Sequence, residues 1–133
     1  MFVQIRIFLI TFAVFLAIDM VWLGFISKEL YRKHLGYLMS PKPNWTAAII
    51  FYIIFVIGLM FFVLNPALEK ESWTFALFAG MFFGLVTYAT YDMTNLATIK
   101  DWPLRITLID LAWGSSLCGL TSVFSFFINR AIG

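Results

Sequence analysis

Three aspartates inside long apolar stretches are the residues of this sequence best suited to chemistry. Asp19, Asp92 and Asp110 each fall within a run that is otherwise apolar enough to span a membrane. An ionisable side chain costs about 2.5 to 3.5 kcal/mol at the centre of a membrane helix, so such a residue needs either partners or a function. The presence of three such residues in one short chain therefore indicates a shared site.

The spacing of the aspartates places them at one depth. If four spans cross the membrane, the first and third end on the same side, here called side B, and the fourth begins there. Counted from side B, the three aspartates stand about five to seven residues into their spans, which is roughly 8 to 11 Å at 1.5 Å per residue. Acids from three helices are therefore expected in a single layer near side B.

Further polar and aromatic residues share helical faces with these acids. Trp22 and Trp113 each follow an aspartate by three residues, and Tyr88, Asp92 and Asn95 have similar spacing. We therefore predict that the three aspartates are catalytic and that a surrounding set binds substrate. The predicted substrate-binding residues are Asn95, Tyr91, Tyr88, Trp22, Trp113, Tyr52 and Thr107.

Three carboxylates in a partly dry site are not expected to be ionised together. Loss of hydration and like-charge repulsion both favour the protonated form, so we expect a shared proton and a coupled titration. Such a group could act as acid and base, couple proton movement to transport, or bind a cation. Alternatively, each aspartate could bond only to a neighbouring helix and hold the bundle together.

The composition is typical of a membrane protein. Of the 133 residues, 62% are apolar and 20% aromatic, against about 45 to 50% apolar in a soluble domain. The charged residues make up only 12% and fall almost entirely between four apolar stretches. A net charge of +2 without a long basic run argues against a nucleic-acid partner.

The sequence predicts an all-α bundle of four transmembrane helices that forms a single domain over residues 1–133. Asn44 is the expected N-cap of the second span, Asn65-Pro66 is expected to end it, and Trp102-Pro103 separates the third from the fourth. The expected spans are residues 3–26, 45–64, 73–97 and 104–127. Leucines and tyrosines at helical spacing among charged residues predict a short interfacial amphipathic helix over residues 28–39.

Small residues indicate how the helices pack. Gly80 and Gly84 form a pair that lets another helix approach closely, and a small stripe on the fourth span is a second packing face. That stripe consists of Ser115, Cys118, Gly119 and Ser122. Three tryptophans outside the site are expected at the membrane interface, namely Trp45, Trp73 and Trp102.

Cofactor chemistry is not indicated by the sequence. His34 is the single histidine and Cys118 the single cysteine, so we predict no metal site, no pair of haem ligands and no disulfide. The identity of any cofactor stays unknown at this point.

The basic residues give the orientation. Side B carries six Lys and Arg and the other side three, so the positive-inside rule makes side B cytoplasmic and puts both termini outside. In a bacterial inner membrane the termini would be periplasmic. The side B residues are Lys28, Arg32, Lys33, Lys42, Lys100 and Arg105, and the others are Arg6, Lys70 and Arg130.

Several motifs carry a family resemblance. They are Asp19-Met-Val-Trp22-Leu-Gly24, Pro43-Asn-Trp45 followed by Phe51-Tyr52, Thr90-Tyr-Asp-Met-Thr-Asn-Leu-Ala97, Trp102-Pro103 and Asp110-Leu-Ala-Trp-Gly114. With them, nearly the whole chain resembles an uncharacterised family of small bacterial membrane proteins known by a domain-of-unknown-function label. The resemblance implies an integral membrane protein of about four helices and no particular activity.

The sequence is compatible with three functions. The leading hypothesis is a protein that binds, and in an enzymatic version modifies, a lipid-like molecule in a cytoplasm-side pocket at the three aspartates, with membrane lipids around it. The second is a small proton-coupled transporter working as a homodimer, favoured by an inverted echo between Ile18-Asp-Met-Val-Trp22 and Ile109-Asp-Leu-Ala-Trp113. The third is an assembly subunit that uses the small-residue faces for a partner.

Overall fold

Four long helices make up the fold. A computed structural model describes residues 2–22, 24, 32–34 and 44–133, and within these ranges all regular structure is helical. We label the helices α1 (Phe2–Val21), α2 (Trp45–Lys70), α3 (Trp73–Thr98) and α4 (Leu104–Ile132). Each is long and apolar enough to cross a membrane, which confirms the predicted all-α class with four candidate spans.

The segment between α1 and α2 is described only in part. The interfacial helix expected at residues 28–39 lies outside the described residues except for residues 32–34. The same holds for the predicted end of the first span at residue 26.

Side chains and turns define where the later helices begin. Asn44 caps α2 as expected, because its Oδ1 accepts the backbone N–H of Ala47 at 3.1 Å. Ser72 Oγ accepts the N–H of Phe75 at 3.1 Å and caps α3 in the same way. Before α4, Asp101 adopts a left-handed conformation with φ of 63° and Pro103 occupies the N-cap position.

Helix α2 continues past its predicted end at Asn65-Pro66. Met60–Leu64 form a π-helical turn, in which the backbone N–H of Asn65 bonds to the carbonyl of Met60, and Asn65–Lys70 continue as α-helix. Pro66 lies in the first turn of that last segment, where its missing N–H and fixed φ are tolerated. The proline therefore follows a wide turn and does not stop the helix, which ends where Glu71 takes a left-handed φ of 54°.

The bundle has large apolar side chains both inside and outside. Phe61, Phe78 and Phe82 are 65% to 68% exposed on the outer surface, which is costly in water and favourable against acyl chains. The buried core includes Phe15 of α1, Leu59 of α2 and Leu117 of α4. A core within an apolar coat is the arrangement expected of a helical membrane protein.

The closest helix contact is between α3 and α4. A β-carbon on Gly80 would lie 2.6 Å from Ser122 Oγ and 2.7 Å from the carbonyl oxygen of Cys118. At Gly84 it would overlap the carbonyl group of Gly114. The predicted small-residue pair of α3 therefore packs on the predicted small stripe of α4, and Ser115 Oγ adds a hydrogen bond of 3.0 Å to the carbonyl of Met81.

We expect Gly84→Ala to destabilise the bundle. The added methyl group meets backbone atoms of Gly114 that cannot rotate away, and overpacking of this kind costs about 1 to 3 kcal/mol. Thermal unfolding of the purified protein in mild detergent should show the loss. Gly24→Ala is the matched control, because a β-carbon on Gly24 would meet no atom of the described residues within 4 Å. Equal melting temperatures for the two variants would contradict this packing.

Candidate functional site

A cavity of about 790 Å³ lies among all four helices. Residues of α1, α2, α3 and α4 line it, and most of their side chains are aromatic or aliphatic. The three aspartates of the predicted site all line it. The described residues that line it are Asp19, Trp22, Phe51, Tyr52, Ile54, Phe55, Gly58, Phe62, Phe83, Thr87, Tyr88, Thr90, Tyr91, Asp92, Asp110 and Trp113.

The cavity reaches the outer surface of the bundle between α2 and α3. Phe51 and Ile54 on α2 and Tyr91 on α3 line it and are more than half exposed. Farther along α3 from Asp92, the ring of Phe83 lies 5.4 Å from that of Phe55, and a β-carbon on Gly58 would lie 3.3 Å from it. The opening therefore faces the apolar surroundings of the helices.

Asp92 and Asp110 form a pair of buried carboxyl groups. Asp92 is fully buried and Asp110 is 7% exposed, and their side chains lie within hydrogen-bonding reach. If both are ionised, neither oxygen of Asp92 finds a donor among the described residues. A proton on one of the two carboxyl groups would supply such a donor, so we expect the pair to share a proton.

Asp19 lies in the same cavity with partners of its own. Tyr52 of α2 donates its hydroxyl to Asp19 Oδ2 at 3.4 Å. The indole N–H of Trp113 also lies beside this carboxyl, although it meets the geometry of a hydrogen bond to no described acceptor. Residues of α2 and α4 thus hold the α1 carboxyl at the cavity.

Stacked indoles and a tyrosine form the aromatic part of the site. The rings of Trp22 and Trp113 lie 4.4 Å apart at 11°, which brings together the two Asp-x-x-Trp motifs of α1 and α4. The ring of Tyr88 lies directly against Gly114, where any β-carbon would overlap it. Gly114 therefore gives Tyr88 the room to reach the cavity between α3 and α4.

Two predicted substrate-binding residues lie elsewhere. Asn95 and Thr107 do not line the cavity. Thr107 Oγ1 instead accepts the indole N–H of Trp102 at 3.1 Å. Trp102 is 7% exposed and packs inward at the start of α4, with Tyr91 edge-on at 5.9 Å.

Several cavity residues were missed by the sequence reasoning. Phe51, Phe55, Gly58 and Phe62 line one side of the cavity from α2. Their spacing of four, three and four residues is a helical stripe, and its alignment with Tyr52 would have indicated them. The phenylalanine-rich composition hid the stripe, because nearly every face of α2 is apolar.

A second group of polar atoms is buried between this site and the opposite face. Thr11 of α1 and Thr121, Ser125 and Asn129 of α4 are at most 1% exposed, and each has a side-chain oxygen without a partner among the described residues. A second cavity of about 680 Å³ adjoins this group at Asn129. Its lining also includes Arg6, Asn65 and Arg130. Phe15 and Leu117, both buried, belong to the apolar core of the same two helices.

The chain matches the model of a known protein family. The model of the family described as "Predicted membrane protein (DUF2177)" matches residues 4–127. No curated protein and no solved structure matches the chain.

We expect the paired carboxyl groups to tolerate an amide but not an apolar replacement. Asp110→Asn keeps a donor for Asp92, whereas Asp110→Ala leaves a buried carboxyl without it, at a cost of about 1 to 3 kcal/mol. Unfolding in detergent should therefore rank Asp110→Asn above Asp110→Ala in stability.

Infrared spectra test the shared proton directly. The protein at neutral pH should show the carbonyl band of a protonated carboxylic acid, and both Asp92→Asn and Asp110→Asn should lose it. Asp101→Asn removes an exposed carboxyl and should keep the band. A wild-type protein without the band, or an Asp110→Ala protein as stable as the wild type, would rule the shared proton out.

Proposed function

The chain belongs to the DUF2177 family of predicted membrane proteins, and we propose that it binds a lipid-like molecule in the cavity lined by Asp19, Asp92 and Asp110. The observation that carries this proposal is the opening between α2 and α3, which joins the outer apolar surface to a set of buried carboxyl groups. The apolar opening suits the alkyl chain of an amphiphile, and the buried carboxyl groups suit its polar end.

The dimensions and the lining of the cavity support a chain-like ligand. A volume of about 790 Å³ lies within the range of small-molecule sites. Phe51, Ile54 and Phe62 are exposed where the cavity meets the surface, so an alkyl chain there exchanges one apolar contact for another. The ligand would enter from the membrane without crossing water.

The carboxyl pair supports a chemical step on the bound molecule. In this proposal the protonated member of the Asp92–Asp110 pair donates a proton and an ionised carboxyl accepts one. Tyr88 and Tyr91 line the cavity beside the pair and would orient the polar end of the ligand. Asn95, which does not line the cavity, has no direct part in this version.

We propose that the protein lies in a bacterial inner membrane, with side B and the aspartates toward the cytoplasm and both termini in the periplasm. The excess of Lys and Arg on side B in the sequence supports this orientation.

The assembly-subunit alternative loses its main argument. Its working surfaces were the glycine pair of α3 and the small stripe of α4, and these pack on each other within the chain. They are therefore not available to a partner.

Proton-coupled transport is a second candidate because of the unpartnered buried oxygens. Thr11 stands eight residues before Asp19, which is about 12 Å along α1, and Thr121, Ser125 and Asn129 continue toward the second cavity. These atoms could carry waters or protons between the two faces. Phe15 and Leu117 would have to move, as in a protein that alternates between two states.

We expect a bulky residue at the opening to block the ligand. Ile54→Trp adds a ring at an exposed position that lines the cavity. The protein should then lose the lipids that copurify with it in mild detergent, as measured by native mass spectrometry, with its melting temperature unchanged.

Ile57→Trp is the matched control for this experiment. Ile57 is 52% exposed on the same helix but does not line the cavity, so this variant should retain lipid. Equal lipid retention by the two variants would place the bound lipid elsewhere on the bundle.

Thr121→Val tests the transport candidate. The change removes a buried unpartnered hydroxyl with little change in shape and should slow proton movement into proteoliposomes that contain a pH-sensitive dye. Thr94→Val is the control, since Thr94 is exposed, does not line the cavity, and donates its hydroxyl to its own helix at 2.6 Å. Wild-type proteoliposomes no leakier to protons than empty ones would remove this candidate.

A further inference from the structure

The cavity is rich in acceptors and negative charge. Three of its lining residues are acids, and among the described residues that line it there is no Lys, Arg or His. Even with a proton shared between Asp92 and Asp110, two negative charges remain when Asp19 is ionised. Charge of one sign within apolar walls attracts the opposite charge.

Among the described residues of the same cavity, few donors are available to an anionic group, and the unpartnered indole N–H of Trp113 lies beside the Asp19 carboxyl. The Tyr52 hydroxyl is already donated to Asp19. Thr87 and Thr90 donate theirs to backbone carbonyls of α3, at 2.9 and 2.7 Å. A phosphate or carboxylate needs several donors or a cation, so this cavity is poorly suited to an anionic headgroup.

The aromatic rings supply a second feature that suits a cation. Trp22 and Trp113 stack next to Asp19, and Tyr52, Tyr88 and Tyr91 line the remaining side. The faces of aromatic rings attract ammonium groups, and rings combined with acids form the usual surroundings of a bound organic ammonium ion. Within the described ranges, no three His, Cys, Asp or Glu side chains are arranged to hold a metal ion, which favours an organic cation.

We propose that the ligand of this cavity is an amphiphile whose polar end is an amine or quaternary ammonium group. The ammonium group lies between the Trp22–Trp113 stack and the carboxyl groups, and the alkyl chain leaves between α2 and α3. This inference rests on the proposed function, since it names the class of lipid-like molecule bound at that site. The ammonium group belongs either to a phospholipid headgroup or to a free amphiphile.

Three radiolabelled probes with one chain length test the charge preference. They are hexadecyltrimethylammonium, hexadecanol and hexadecanoate, each added at trace concentration to the full chain in phosphatidylglycerol nanodiscs, with empty nanodiscs subtracted. The ammonium probe should bind about tenfold more tightly than either of the others. Asp19→Asn, which keeps an acceptor for Tyr52, should reduce that preference, and the control Asp101→Asn should not.

The outcomes separate this inference from the proposed function. If hexadecanol or hexadecanoate binds as tightly as the ammonium probe, the cationic ligand is wrong and lipid binding stands. If no probe binds to wild-type protein, and lipid does not copurify with it, both fall. A melting temperature for Asp19→Asn close to that of the wild type establishes that a weaker preference does not come from unfolding.

Repeating the measurement in phosphatidylcholine nanodiscs identifies the source of the ammonium group. Loss of probe binding there shows that the choline headgroup competes for the site, and a phospholipid is then the ligand. Equal binding in the two nanodiscs points to a free amphiphile.

Discussion

The backbones of α3 and α4 approach so closely at Gly84 and Gly114 that one β-carbon would not fit between them. This contact fixes the register of the two helices, and the register decides which residues meet farther toward side B. Tyr88 comes to lie against Gly114, and Asp92 comes within reach of Asp110. A larger residue at either glycine would separate the carboxyl groups as well as the helices.

Burying a pair of carboxyl groups away from water costs free energy unless each has a hydrogen-bond partner. Neither oxygen of fully buried Asp92 has a hydrogen-bond donor among the described residues, and Asp110 lies within reach, so the predicted shared proton would stabilise both side chains. The aromatic residues that line the cavity with the pair are apolar and are also the ring faces that the proposed ligand would contact. Stability and the proposed binding would therefore depend on the same few side chains, which is common at functional sites.

The parts of the structure that follow from periodicity were predictable from the sequence. The lengths of the apolar stretches predicted four helices. Counting residues from side B placed Asp19, Asp92 and Asp110 on three of these helices at a similar depth. Side-chain direction was harder to predict: Thr107 lies three residues before Asp110, yet it bonds to Trp102 and not to the cavity. Spacing along one helix places a residue on a face but does not say which neighbouring helix covers that face.

The π-helical turn of α2 illustrates the same limit and has a structural consequence. Asn65-Pro66 is a common helix stop, and the sequence alone did not show that Met60–Leu64 would widen to let the helix continue. A π turn is in effect one residue inserted into an α-helix, and one residue is about 100° of rotation. The π turn thus rotates the segment that ends at Lys70 about the helix axis relative to the aromatic stripe beside the cavity. Each half of α2 can therefore face its own neighbours without changing the orientation of the other half.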